Sequence, residues 1–392
     1  MKVYDWIVVG AGITGAALAY ELAKIGFSVL LLEQNKTPEN ATRYSYGGIA
    51  YWSGTTPIAH QLCQEAIARY QILTQELDAD IQFRELDLLL TIANGTDPQV
   101  AVASYSHLTT PPQLLSIQEA CDLEPLLNKN AISGALTIKH GHVHPEKITQ
   151  AYIQSFLRLG GEIQFNQVLE PIQIIPGEKS FRGVKTTTST FYSDKIVICA
   201  GGMSRKFLKS AGIPIKIYFS HAEIIEIPSV DLRLRTLVTS ANLQRLQLET
   251  ASTQVDQLWD QFGELVPPIL DVGAVQFLDG SLRLGQISRI LTDPHTQINP
   301  AESEKWLRTS ITHILPALGN LRGNWHHCLV AFTSDKLPLI GAIPKVENIH
   351  IFSGFSSPFV FVPPLAERFA KSLSGQEDDI INKLVIASSS LV

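Results

Sequence analysis

Three glycines, Gly10, Gly12 and Gly15, set between the apolar run Ile7-Val8-Val9 and a helix-forming stretch over 16–24, carry the clearest chemistry in this chain. Gly10 permits a tight turn, Gly12 lets the backbone approach a pyrophosphate, and Gly15 lets strand and helix touch. The following helix turns its N-terminal amides toward such an anion. Glu33, eighteen residues after Gly15, ends a second apolar run, Val29-Leu30-Leu31-Leu32, where it can accept ribose hydroxyls. Strand, glycine turn, helix, strand and acid in this order predict a dinucleotide site. Ile13 and Thr14 lie inside its loop and Gln34 beside its acid.

These residues need a frame. A further buried strand, Lys195 to Cys199, runs into Ala200-Gly201-Gly202 and is expected beside the first, closing over the nucleotide. A helix over 58–77 precedes alternating strands over 82–93, and residues 94–113 read as loop. Val143-His144-Pro145 leads into an amphipathic helix over 146–160, ended by Gly160-Gly161. Short strands follow at 162–165, 168–174, 183–188 and 190–192. From about 215 to 326 the texture changes to long alternating strands, such as 222–227 and 281–286, interrupted by one helix over 302–315. An antiparallel sheet inserted between parts of the nucleotide unit is the expected arrangement. The chain returns through a strand over 349–353 and a terminal helix started by Pro363-Pro364 and running to about 373. Residues 376–392 read as a tail or a packing segment.

Composition excludes several classes. With 17% charged residues and a net charge of -6, nothing draws the chain to nucleic acid or an anionic membrane. There is no run of about eighteen apolar residues to span a bilayer, and the strand-first N-terminus lacks a signal peptide's apolar core. Cys63, Cys121, Cys199 and Cys328 are scattered without metal-ligand spacing, so free thiols, no metal and a cytoplasmic setting are expected. A chain of 392 residues is long enough for two domains.

The motif order resembles the D-amino acid oxidase superfamily of flavoproteins, in particular its glycine oxidase and sarcosine oxidase branch, over about residues 3–375. The markers are the N-terminal fingerprint, Val143-His144-Pro145 before a helix, Cys199-Ala200-Gly201-Gly202, and Thr333-x-Asp335-x-x-Pro338-x-Ile340-Gly341. The resemblance implies an α/β chain, α+β overall. A Rossmann-like FAD-binding domain (1–80, 144–216 and 327–392) would be interleaved with an antiparallel β-sheet substrate domain (81–143 and 217–326). It implies FAD as cofactor, with Glu33 on the ribose, Thr42, Arg43, Ser45, Gly47 and Gly48 along the pyrophosphate and ring, and Val168 on the adenine. Asp335 and Ile340 would follow the ribityl chain. Gly354, Ser356, Ser357, Phe359 and Val360 would bring the terminal helix's amides to the flavin's pyrimidine edge.

Departures from the family pattern bear on the substrate. Amino-acid-oxidising relatives carry an arginine four to six residues before the motif aspartate, clamping a carboxylate. This chain has Leu329-Val330-Ala331 there, Lys336 after the aspartate where glycine is common, and Phe355-Ser356-Ser357-Pro358-Phe359, without a basic residue, shortly after Gly354. The substrate expected is therefore a small amine or modified amino acid, oxidised at a carbon–nitrogen bond with electrons returned to oxygen or another acceptor. Two alternatives are a dehydrogenase of a hydroxy acid or polyol phosphate, which needs a base such as a histidine, and a non-catalytic flavin binder. Candidate catalytic groups are His326 and His327 before the flavin-side strand, Tyr218 and His221 at the start of the first substrate-domain strand, Arg289 (with Arg283) in the substrate ceiling, and Tyr51 (with Trp52) beside the ring. Cys328 lies seven residues before Asp335, the spacing at which sarcosine oxidase relatives tether FAD. Its neighbours match that subgroup poorly, and it reads as a buried structural thiol.

Overall fold

The structure, a computed structural model, describes residues 2–108, 110–174, 177, 179–261 and 263–385. Two sheets organise the chain. The first follows the order Leu339–Ala342, Ile349–Ser353, Thr190–Ile198, Val3–Val9, Val29–Glu33, Glu162–Phe165, with the strands Val168–Gln173 and Phe181–Thr186 continuing from Thr190–Ile198. Val3–Val9 runs parallel to both neighbours, Val9 opposing Ile198 on one side and Leu32 on the other. Ile7, Val8, Ile196, Val197 and Ile198 are all fully buried, which is why these strands read as unbroken apolar runs: both faces of the sheet are covered. The strand predicted after residue 194 thus lies beside the first, and it is continuous with the one predicted at 190–192.

One face of this sheet is packed by the helices Ile13–Lys24, Pro57–Glu76, Pro145–Arg158 and Pro358–Leu373. The first begins three residues earlier than expected, inside the glycine turn, where the Ala16 amide already donates to the Gly12 carbonyl at 2.9 Å. The terminal helix starts at Pro358, so Pro363 and Pro364 lie inside it instead of opening it. Proline at 363 cannot donate to the Phe359 carbonyl, and the Tyr70 hydroxyl donates to it instead at 2.8 Å. A short helix, Asp379–Leu384, buries Ile380, Ile381 and Leu384 in the same core, so the described part of 376–392 is a packing segment; residues 386–392 lie outside the described residues.

The second sheet follows the order Asn324–Phe332, Tyr218–Ile227, Leu282–Arg289, Ile269–Gln276, Leu237–Ser240, Arg84–Ala93, Ile132–His142, Gly48–Ile49, with Gln113–Leu115 on Ile132–His142. All pairings are antiparallel except Leu237–Ser240 with Arg84–Ala93. One face packs on the helix Pro300–Ile314 through Ile225, Leu284, Ile287, Leu307 and Ile311. Two helices fall where none was expected. Pro98–Tyr105 occupies most of the segment read as loop, capped by Asp97 with proline at its first position, and Gln244–Ser252 stands among the long strands. Among the described residues no helix is long and apolar enough to cross a membrane.

Candidate active site

The glycine turn leaves no room for a methyl group. A side chain at Gly10, where φ is +101°, would come within 2.6 Å of the Cys199 carbonyl oxygen, and one at Gly15 within 1.7 Å of the Gly10 carbonyl oxygen. Glu33 closes the turn's edge, its carboxylate accepting the Ala11 amide at 2.8 Å and the Asn35 amide at 3.2 Å. Thr42 accepts the Ile13 amide at 3.1 Å. A cavity of about 1110 Å³ is bounded at this end by Ile13, Thr14, Thr42 and Gly201, and along its length by Ser45, Gly48, Asp335, Gly354, Ser356, Ser357 and Phe359. The terminal helix therefore opens on the cavity with the positive end of its dipole. Ser356 Oγ is buried there with no hydrogen-bond partner, a polar atom awaiting one from a bound molecule. A turn of three close-packed glycines, a helix N-terminus on the cavity and an orphaned hydroxyl fit a dinucleotide cofactor.

The segment between turn and ring site is held from the second sheet. Arg43 forms a two-pronged pair with Glu226 (2.5 and 2.9 Å) and an ion pair with Glu146. Burial raises the Glu226 pKa, but the Arg43 guanidinium more than offsets it and the carboxyl stays below its ordinary value. Arg283, 2% exposed, donates to the Ser45 carbonyl, lies 4.6 Å from the centre of the Phe277 ring and is pushed by burial down to about 10. Gly47 and Gly48 are needed because a Cβ would meet the Val143 carbonyl oxygen at 2.0 Å and His140 Nε2 at 2.6 Å respectively.

The far wall belongs to the second sheet and to the helix Gln244–Ser252. Ala222, Ile224, Cys328 and Val330 supply an apolar strip, Leu88, Leu90 and Leu237 another, with Tyr46, Trp52, His140, Arg245, Asp271 and Gln286 as polar points. Trp52 Nε1 donates to His140 Nδ1 at 3.1 Å, so that ring is neutral, and burial lowers its pKa to about 4. Tyr46 donates to the Gly273 carbonyl at 3.2 Å; a side chain at Gly273 would sit 3.3 Å from the tyrosine ring, and one at Gly285 3.4 Å from its oxygen. Between Leu270 and Gly273 the register shifts, so Asp271 and Val272 stand opposite the single residue Gln286. This β-bulge turns Asp271 to the cavity while Val272 stays in the core beneath.

Of the cofactor residues expected from sequence, eleven line the cavity: Ile13, Thr14, Thr42, Ser45, Gly48, Gly201, Asp335, Gly354, Ser356, Ser357 and Phe359. Gly10, Gly12, Gly15, Gly47, Ala200 and Gly202 shape the backbone behind it. Glu33 borders the turn, Gln34 is exposed and Val168 begins a strand paired with Thr186. Arg43 spends its charge on Glu226 and Glu146, and Ile340 and Val360 point into the core.

The catalytic candidates are corrected by the strands' alternation. Because Ala222 and Ile224 face the cavity, His221 and Glu223 face away; on the neighbouring strand Cys328, Leu329, Val330 and Ala331 all border it, while His327 lies off it against His221. His221 Nδ1 and His327 Nε2 bond each other at 2.7 Å, Arg289 pairs with the buried Glu223 at 2.7 Å, and Tyr218 donates to Asp256 at 3.0 Å. These contacts lie off the cavity lining. His326 stacks on Tyr44 (4.5 Å between ring centres) and faces Glu226 at 3.6 Å, and Tyr51 bonds Glu85 at 2.5 Å, both outside the lining. The polar points that line it instead, Tyr46, His140, Arg245, Asp271 and Gln286, carried no sequence signal that separated them from ordinary strand and helix residues.

A glycine-turn parallel sheet facing an antiparallel sheet across one cavity defines the flavin-dependent oxidoreductase class. The chain belongs to the FAD dependent oxidoreductase (DAO) family, whose model matches residues 5–372, and its cofactor is FAD. Among curated relatives, 4-methylaminobutanoate oxidase (formaldehyde-forming) of Paenarthrobacter nicotinovorans is 24% identical over 375 residues, which cover 93% of this chain and 43% of that protein. Peroxisomal sarcosine oxidase of Homo sapiens is 23% identical over 387 residues, covering 95% of this chain and 92% of that one. Among solved structures, glycine oxidase from Geobacillus kaustophilus superposes with a TM-score of 0.80 at 20% identity, covering 99% of each chain.

Proposed function

We propose that this FAD-dependent oxidoreductase oxidises a carbon–nitrogen bond of a small amine or modified amino acid. FAD, when bound, supplies the hydride-accepting ring. The chain's own contribution is to hold that ring between the segment 42–48 and the start of the helix Pro358–Leu373, and to shape a largely apolar wall that excludes water from the reacting carbon. The helix start favours negative charge at its end of the cavity.

The observation that carries the reading is the strip Ala222, Ile224, Cys328 and Val330, apolar where a free amino acid would need a carboxylate clamp. The names of the three relatives given above point the same way: each carries a nitrogen-bearing substrate in its name. The histidines expected from sequence as bases for alcohol oxidation, His221, His326 and His327, are engaged away from the lining. Return of electrons to oxygen or another acceptor belongs to this reading, as does a cytoplasmic setting, which the four free cysteines support.

The test is the visible flavin absorption of the holoenzyme during anaerobic addition of primary amines, secondary amines, amino acids and hydroxy acids, one class at a time. Bleaching by an amine class is expected. Bleaching by hydroxy acids alone would overturn the proposal.

A further inference from the structure

Asp271 is an acid that the fold goes out of its way to aim. The bulge that places it with Val272 opposite Gln286 is the device that sends it into the cavity. Gln286 is itself an extra residue against the other neighbouring strand, where Glu223 and Ile224 oppose Ile287 and Gly285. Once there, its Oδ1 is buried with no hydrogen-bond partner. An acceptor in that state costs free energy until a donor arrives.

The neighbours make the sign of the missing group clear. Arg245, which also lines the cavity, lies 3.7 Å from the buried carboxylate of Glu249, so its charge is already offset. Burial raises the pKa of Asp271; the pull of Arg245 works against that and the repulsion of Glu249 works with it. The Tyr46 and Tyr105 side chains stand close enough for the Asp271 charge to raise their pKa values as well, after burial. An anion entering here would meet the Asp271 carboxylate beside a guanidinium already shared with Glu249; the Lys336 ammonium, also on the lining, is drawn to Glu249 as well. A cation carrying N–H donors would find in Asp271, half-buried and on the lining, an acceptor of the right sign.

We propose that Asp271 is a specificity-determining residue that receives a cationic nitrogen of the substrate, so that this enzyme selects molecules by an ammonium group on the bulge side of the cavity. The assignment rests on the amine-oxidising reading above. It accounts for a site whose flavin-side strand offers no carboxylate clamp: the recognition charge has the opposite sign and comes from a different strand.

The probe is tert-butylammonium, which has N–H donors and a positive charge but no hydrogen on the carbon next to nitrogen, so it cannot be oxidised. Pivalate is its anionic counterpart of the same shape. Binding of each to the holoenzyme is followed by perturbation of the visible flavin spectrum, and KM and kcat are measured for an amine that bleaches the flavin. In the wild type, tert-butylammonium binds and pivalate does not. Asp271→Asn weakens tert-butylammonium binding and raises KM by about tenfold to a hundredfold, the loss of one charge-assisted hydrogen bond, with FAD content unchanged. Asp271→Glu recovers part of the loss. Equal binding by Asp271→Asn, or a wild-type preference for pivalate, overturns the proposal. If no amine bleaches the flavin while tert-butylammonium binding still depends on Asp271, the amine-oxidising reading fails and the cation site stands. If amines bleach it and Asp271→Asn changes neither KM nor binding, the cation site alone fails.

Discussion

Glu33 offers the sharpest quantitative test of how the cofactor is held. Its carboxylate accepts the Ala11 amide at 2.8 Å and the Asn35 amide at 3.2 Å, which fixes it at the end of Val29–Glu33 beside the glycine turn. A carboxylate so placed has acceptor sites to spare for ribose hydroxyls. Hydrogen bonds to a charged acceptor contribute about 1.5 to 3 kcal/mol each, and each 1.4 kcal/mol is tenfold in affinity. Glu33→Ala removes at least one such bond to FAD and leaves the amide of Ala11, itself 7% exposed, without its acceptor. The dissociation constant for FAD should therefore rise about tenfold to a hundredfold. Glu33→Gln keeps the shape and loses the charge, and should fall between the two. The assay is titration of apoprotein with FAD, followed by quenching of flavin fluorescence. A Glu33→Ala affinity within twofold of wild type would refute the assignment of Glu33 to the ribose.

Three further outcomes are expected. His140 is buried neutral, its pKa pushed down by burial from 6.5 to about 4; it contributes stability that is full above pH 6.5 and lost as pH falls through 4, up to about 3 kcal/mol. Denaturation midpoints should drop across that window, and a slope unchanged in His140→Gln would count against it. Tyr70→Phe leaves the Phe359 carbonyl without a donor, because Pro363 has none to offer, and should cost about 1 to 3 kcal/mol by denaturant titration; a midpoint equal to wild type would show the bond to be dispensable. Burial pushes the Cys328 thiol up to about 12, so it is not a thiolate nucleophile, and acid precipitation should release FAD into the supernatant; flavin retained in the pellet of wild type but not of Cys328→Ser would contradict this.

The nucleotide half was legible because its signals are local. Gly15 is required by its contact with the Gly10 carbonyl inside the turn, Gly10 by its own positive φ as well as by the distant Cys199, and the acid at residue 33 follows from strand length. Elements specified by distant partners were misread. Pro363-Pro364 have the signature of a helix start, and only Tyr70, almost three hundred residues away in the chain, shows how they are carried inside the helix. The helix Pro98–Tyr105 did advertise itself, through Asp97 and Pro98, but the polar composition around it was given more weight. Gln244–Ser252, which brings in Arg245, has Leu243 at its cap position without a side-chain bond; Asn242, one residue earlier, accepts the Gln244 amide at 3.2 Å instead, so the start signal is displaced from its usual place. The catalytic candidates fell off the cavity lining for a different reason. Sequence shows that neighbouring strand residues face opposite ways, but not which set faces the cavity, and that choice rests on register against partner strands.

A sheet ordinarily punishes any change in chain length, since inserting or losing one residue turns every later side chain over to the other face. The stretch around Gln286 is exempt. Leu284 and Ile287, three apart, lie in the same core cluster, and Gly285 and Ile287 already oppose the adjacent residues Ile224 and Glu223. Removing Gln286 would leave a regular ladder with that strand and every core residue on its own side. Relatives of this enzyme can thus gain or shed a polar group in the substrate wall by a single-codon insertion or deletion, making alignment gaps at this point a more telling mark of altered substrate choice than substitutions elsewhere in the sheet.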